Sequence, residues 1–266
     1  MPRRLLALDL DGTLIEDGAH LPAGHERVVR ELRSEGVEVA IVTGRPTCTA
    51  AWVHAHLNLT APMVSFNGAW VGLPGRPALH SQALDEEEVR AIVAVLAGGP
   101  AAISCYPDAD HWVLDRELPF MRDWRSRYRT GIQVDRARVH AWRGTSGKVM
   151  CVGEPGDLPP LAEALRRTWG DRFHIVFSEP DRFEVSRRGI TKAWGLERLC
   201  THLGIVREDV WAVGDAANDA EMIQWAGHGC AMGQAPWALR QRARHVLPGI
   251  AARGLCALPD LLRRHP

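Results

Sequence analysis

An apolar run, Leu5-Leu6-Ala7-Leu8, leads straight into Asp9-Leu10-Asp11-Gly12-Thr13-Leu14. Two carboxylates, a glycine and a hydroxyl therefore stand at the end of what the apolar pattern predicts to be a buried strand over residues 5–10. Carboxylates two apart on a strand share a face, and a turn at Gly12 lets the second swing, so Asp9 and Asp11 can meet at one point beyond the strand. In open α/β sheets that point is the ligand crevice. The alternative for Asp11 is an Asx-type turn or a helix N-cap. Two further predicted strands end in polar residues. Residues 39–42 deliver Thr43-Gly44-Arg45-Pro46, where a hydroxyl, a glycine amide and a proline-started helix form an anion-binding nest, although a threonine that merely caps the helix accounts for the same residues. Residues 210–213 deliver Gly214-Asp215-Ala216-Ala217-Asn218-Asp219, of which Asp219 could simply cap the next helix while Asp215 is harder to explain that way.

Parallel strands would bring all three ends to one edge. Acids gathered there repel each other and any phosphate unless a hard divalent cation is present, and oxygen ligands beside phosphate favour Mg²⁺. A cation from the chain itself is also expected. The lysines are Lys148 and Lys192, and every other basic side chain is arginine. Lys192, in Gly189-Ile190-Thr191-Lys192 just upstream of the Asp215 strand, is the candidate; the alternative is a solvated surface charge.

The elements that must hold these residues alternate. A strand over residues 5–10, a helix over 23–34, a strand over 37–42, a helix over 46–57 and a strand over 63–66 imply βαβ crossovers and a parallel sheet. Residues 191–203, 210–213, 218–226, 229–232, 236–243 and 245–247 repeat that helix–strand rhythm. Between them the pattern changes to an acid-rich helix over 85–96, short strand-like runs, and a helix over 158–169 with apolar residues at 158, 161, 162, 165 and 169. The chain thus reads as an α/β core formed by residues 1–75 and 188–266, with an α+β module inserted at 76–187.

In order and spacing, the four pieces Asp9-Leu10-Asp11-Gly12-Thr13, Thr43, Lys192 and Gly214-Asp215-Ala216-Ala217-Asn218-Asp219 resemble the four motifs of the haloacid dehalogenase-like hydrolases. Ser65-Phe66-Asn67-Gly68-Ala69 and Ala231-Met232-Gly233 further resemble the Cof-type branch. The resemblance implies a Rossmann-like core carrying an inserted α/β (C2-type) cap. It also implies a phosphatase in which Asp9 attacks phosphorus to form an aspartyl-phosphate, while Asp11 protonates the leaving oxygen and then activates water. Thr43, Gly44, Asn67, Lys192 and Asn218 would bind the phosphate. Mg²⁺ would be held by Asp9, the Asp11 carbonyl and Asp215, with Asp219 acting behind them. Gln234, where relatives commonly carry Asn, and Ala217, where a larger or polar residue is usual, depart from the pattern.

The same likeness leaves sugar-phosphate phosphomutases as the nearest rival and a non-catalytic phosphate-binding protein as a more distant one. The substrate is expected to be a small phosphate ester such as a sugar phosphate or related metabolite, with Tyr106, His111, Trp112, Arg122, Trp124, Arg125, Arg127 and Tyr128 as cap candidates. Trp142, Trp169, Trp194 and Trp211 fall in apolar patterns and are expected in cores. Across 266 residues, 32 basic and 32 acidic groups cancel, which gives no electrostatic reason for a nucleic-acid or membrane partner. Six cysteines show no metal-ligand spacing and fit reduced thiols in a cytoplasmic protein. The opening Met-Pro-Arg-Arg followed by apolar residues is weighed as a leader and rejected, because Asp9 and Asp11 interrupt it.

Overall fold

The computed structural model describes residues 3–16, 18–128 and 130–265; Met1 and Pro2, the first residues of the stretch weighed as a leader, lie outside them. The chain divides into two compact units, one of Met1–Arg45, Ala50–His80 and Thr191–Pro266, the other of Pro46–Thr49 and Ser81–Ile190.

The first unit is built on a parallel five-stranded sheet in the order His245–Val246, His228–Ala231, Val210–Gly214, Leu5–Leu8, Glu38–Ile41. Leu5–Leu8 is an interior strand, buried along its whole length, as expected of a strand covered on both faces. Leu8 is in register with Ile41 on one side and Val213 on the other, so the residues that follow on all three strands emerge together. Leu5, Ala7, Val64, Leu196, Leu199, Val210 and Ala212 belong to one buried apolar cluster. The helix Lys192–Leu203 starts where the Thr191 hydroxyl accepts from the Trp194 amide and stops at left-handed Gly204. Its Gly195 lies so close to Gly68 and Val64 that a Cβ would stand 2.4 Å from Val64 Cγ1.

One expectation is corrected. Residues 63–66 read as another strand of the parallel sheet, but Met63–Ser65 pairs antiparallel with Trp70–Gly72 and joins the core through a single parallel bridge, Val42 to Val64. The reversal is local chemistry: Phe66, Asn67 and Gly68 all adopt positive φ, which folds the chain back within five residues.

The second unit holds a six-stranded sheet in the order Phe173–Glu179, Arg182–Arg187, Val149–Val152, Ala102–Cys105, Trp112–Leu114, Ile132–Val134. Alternate residues, among them Ile103, Cys105, Val149, Cys151, Phe183 and Val185, bury against apolar side chains of the helices Glu86–Leu96 and Leu158–Trp169. Asp85 and Glu88 start the first of these helices with a reciprocal capping box. Of the cap candidates, Tyr106, Trp112 and Trp124 are buried in an aromatic group with Tyr128, whereas His111, Arg122, Arg125 and Arg127 are exposed. Trp142 and Trp211 are fully buried, Trp169 and Trp194 only partly. No helix among the described residues is long and apolar enough to cross a membrane, and the six cysteines are free.

The starting edge of the core sheet carries a ladder of flat rings. Trp211 stacks on His228 at 4.0 Å and 4°, and the His245 ring lies nearly parallel to both, 5.3 Å from Trp211 and 5.8 Å from His228. Burial, then the positive groups Arg244, His245, His265 and Arg4, lower the His228 pKa to about 4. Burial lowers those of His245, His25 and His54 as well. An unfolded chain, with imidazoles near their ordinary value of about 6.5, takes up protons that the fold refuses. The contribution of His228 to stability is therefore complete above about pH 6.5 and is lost as pH falls toward 4, and the other three act in the same direction. Thermal melting across that window should show a steep acid loss of stability that is shallower in His228→Phe; equal slopes would mean that His228 titrates normally in the fold.

Candidate active site

The strand ends deliver what their register requires. The Asp9 amide still donates to Val213 O at 3.0 Å, keeping the residue at the sheet's edge. On one flank the chain leaves Gly214 for Asp215, and on the other the Thr43 amide donates to Val64 O at 2.9 Å. The ammonium of Lys192, from the first turn of its helix, donates to Asp9 Oδ1 and to Asp219 Oδ1, both at 2.6 Å. Lys192, Asp9 and Asp219 are 1%, 4% and 0% exposed, so this is a desolvated ion triad in which each carboxylate needs the shared cation. Asp219 uses its second oxygen to accept the backbone amides of Asp215 and Ala216, each at 2.9 Å. It therefore caps its own turn and also fixes the position of Lys192.

Charge in the cluster is unbalanced. Carboxylate oxygens of Asp9, Asp215 and Asp219 lie within 4.8 Å of one another around the single ammonium. Burial first, then Asp219, raise the pKa of Asp9 well above the carboxylate range, against the opposing pull of Lys192. Burial and Asp219 raise Asp215 as well. Burial alone would lower Lys192, but Asp219 and Asp9 outweigh it and hold it charged. The acids are raised first by burial and then by one another, while the lysine is raised by the acids around it, so negative groups outnumber positive ones at this point. Three clustered carboxylates of this kind form a donor set for a hard divalent ion.

Gly12, at φ +77, permits this approach, since a Cβ there would stand 2.2 Å from Asp215 Oδ2. The other Asp215 oxygen accepts from Thr13 Oγ1 at 3.2 Å. Gln234, noted in the sequence only as a departure, reaches across the site. Its Nε2 donates to Gly12 O at 2.6 Å and to Asp215 Oδ2 at 3.3 Å, while its Oε1 accepts from the Ile250 amide at 2.9 Å. A longer side chain at this position thereby ties the first acidic turn to the Asp215 turn.

Asp11 lies apart from the triad. Both of its oxygens accept from Arg45, through Nε at 2.7 Å and a terminal nitrogen at 2.5 Å, and that same terminal nitrogen donates to Gly18 O at 2.6 Å. The sequence placed Arg45 in the nest but gave it no partner; a bidentate fork to a carboxylate 34 residues earlier leaves no local pattern to read. Thr43 Oγ1 accepts from the Arg45 amide at 3.1 Å, and the Asn67 amide donates to Thr43 O at 3.1 Å. Gly44 packs against Asn67, close enough that a Cβ would meet its Oδ1 at 2.9 Å. Asn218 donates to Asn67 Oδ1 at 2.9 Å rather than approaching Lys192. Thr43, Gly44, Asn67 and Asn218 thus form one polar wall beside the triad.

A family model described as haloacid dehalogenase-like hydrolase matches residues 6–256. An HMP-PP phosphatase of Cronobacter sakazakii is 31% identical over 236 residues, covering 87% of this chain and 85% of the relative. The 5-amino-6-(5-phospho-D-ribitylamino)uracil phosphatase YitU of Bacillus subtilis is 27% identical, covering 91% of each. Among solved structures, a haloacid dehalogenase-like hydrolase from Bacteroides thetaiotaomicron superposes with a TM-score of 0.89 at 24% identity, covering 98% of this chain and 99% of that one.

Gly12→Ala should displace the Asp215 carboxylate and force a strained backbone, weakening magnesium binding measured by calorimetry at least tenfold. Unchanged affinity would show that the approach of Gly12 to Asp215 is not needed for the donor set.

Proposed function

The chain belongs to the haloacid dehalogenase-like hydrolases as a Cof-type phosphatase, and from that premise we propose that it hydrolyses small phosphate monoesters through a phosphoryl group carried on Asp9. The observation that carries this reading is the buried Lys192 ammonium shared between Asp9 and Asp219. It holds one Asp9 oxygen, fixes the carboxylate's direction and leaves its other oxygen to attack.

In the first step Asp9 bonds to phosphorus as the ester P–O bond breaks, and Asp11 gives its proton to the departing oxygen. In the second, Asp11 takes a proton from water as that water attacks phosphorus and releases Asp9. Both Asp11 oxygens rest on Arg45 in this structure, so the acid–base role requires Asp11 to turn from Arg45 toward Asp9. Thr43, Gly44, Asn67 and Asn218 form the polar wall that receives the nonbridging oxygens, together with Lys192. The clustered oxygens fit magnesium: held by Asp9, the Asp11 carbonyl and Asp215, it would supply the positive charge that the triad lacks while negative charge builds on the transferring group.

We assign catalysis to residues 1–75 and 188–266 and choice of the leaving group to residues 76–187. The substrate is a sugar phosphate or a related phosphorylated metabolite. In support, the Bacillus relative is named for a ribityl phosphate attached to a uracil. Water as final acceptor separates this reading from a mutase, because phosphate must be released.

With an aryl phosphate and magnesium, Asp9→Asn should abolish phosphate release while the far-ultraviolet spectrum and melting point persist; full activity in that variant would refute the nucleophile. Asp11→Asn should lower kcat by ~10²–10⁴-fold, the range of a positioned acid–base group. A loss below about tenfold would remove Asp11 from the proton transfers.

A further inference from the structure

The starting edge of the core sheet, at the opposite ends of the strands from Asp9 and Asp215, carries a cavity of about 710 Å³ whose lining includes Arg207, Glu208, His228, Arg244, Arg264 and His265. Its charge is one-sided in a chain whose totals cancel. Elsewhere guanidiniums meet carboxylates, as Arg30 meets Glu26, Arg187 meets Glu88 and Arg263 meets Glu31. Here Arg207 donates to the Gln224 carbonyl at 3.3 Å and Arg244 to the Gly227 carbonyl at 3.0 Å. Each contact uses a small part of a five-donor fork and neutralises nothing. Among the described residues none of Arg207, Arg244 and Arg264 forms an ion pair, and Glu208 is the one acid in the lining.

The histidines beside the cavity feel the same positive groups. His228 is lowered first by burial and then by Arg244, His245, His265 and Arg4, all positive or able to become so. Its Nδ1 is buried and has no partner among the described residues. Three guanidiniums line this open cavity beside an imidazole lowered by burial and then by positive neighbours, and among the described residues Glu208 is the one acid in the lining to set against them. Arginine forks match the oxygens of a phosphate group, and the volume lies in the range that holds a small metabolite rather than an ion alone.

We propose that this cavity binds a phosphate-type oxyanion, held by Arg207, Arg244 and Arg264 at a distance from the catalytic cluster. The anion is either free orthophosphate or the phosphate tail of a phosphorylated metabolite. The site does not depend on the roles given to Asp9 and Asp11, and its test can fail while the phosphatase reading stands.

The test follows the imidazole resonances of His228 and His265 by NMR during titration of the full chain with orthophosphate, pyrophosphate and a nucleoside triphosphate, each alone. Saturable shifts, with the His228 pKa rising from about 4 toward the ordinary imidazole value, are expected. A response to orthophosphate equal to that of the larger probes identifies the free ion; a response at least tenfold tighter for the nucleotide identifies the tail of a metabolite. Arg244→Ser combined with Arg264→Ser should weaken binding at least tenfold, raise the unliganded His228 pKa by removing repulsion, and leave aryl phosphatase activity unchanged. Glu208→Gln should tighten binding several-fold. Resonances unmoved by every probe at concentrations that inhibit turnover, or a Glu208→Gln variant that binds no more tightly than the parent, would overturn the proposal.

Discussion

The site depends on one ammonium placed among three carboxylates. Removing water from Asp9 and Asp219 is costly, and Lys192 offsets that cost for both at 2.6 Å. The compensation is incomplete by design of the charges, because Asp215 brings a third negative group to the same point. A site with spare negative charge attracts a divalent ion, and the ion with the lysine then attracts a phosphate dianion that the carboxylates alone would repel. The deficit that makes the carboxylate cluster electrostatically unfavourable on its own is thus what suits it, in the proposed reading, to a metal and a phosphoryl group.

The fold serves this arrangement through register. Pairing Leu8 with Ile41 and Val213 is enough to bring Asp9, Thr43 and Asp215 to one edge, since parallel strands that start level also end level. Small residues then let the pieces close. Gly12 admits the Asp215 carboxylate, and Gly195 lets the helix bearing Lys192 settle on the Gly68 turn. Gln234 and Asp219 lock the two acidic turns from behind. In the proposed division, leaving-group recognition and catalysis fall on different stretches of chain, which would let one vary while the charges around Asp9 stay fixed.

The α/β class and the family were legible because their signals are local. An apolar strand ending in paired acids, repeated alternation of strand and helix, and a lysine standing out in an arginine-rich chain all read from a few neighbouring residues. Residues 63–66 misled because a short apolar run looks the same in a parallel strand and in a hairpin, and only the left-handed turn at Phe66–Gly68 separates them. The grip of Arg45 on Asp11, the bridge from Gln234 to Gly12 and the stacking of Trp211 on His228 join residues far apart in sequence. No spacing rule reaches across such distances, so these contacts appear only once the sheet has assembled.

The central claim is that Asp9, oriented by Lys192, carries the phosphoryl group. The most direct measurement is rapid acid quench of Asp11→Asn turning over an aryl phosphate, followed by peptide mass analysis. Slowing the second step should let the intermediate accumulate, and the account predicts a single phosphoryl addition on the peptide containing Asp9, dependent on magnesium and absent when Lys192 is replaced by alanine. Phosphate released at the parent rate with Asp9 unmodified throughout, or an adduct on any other residue, would contradict it.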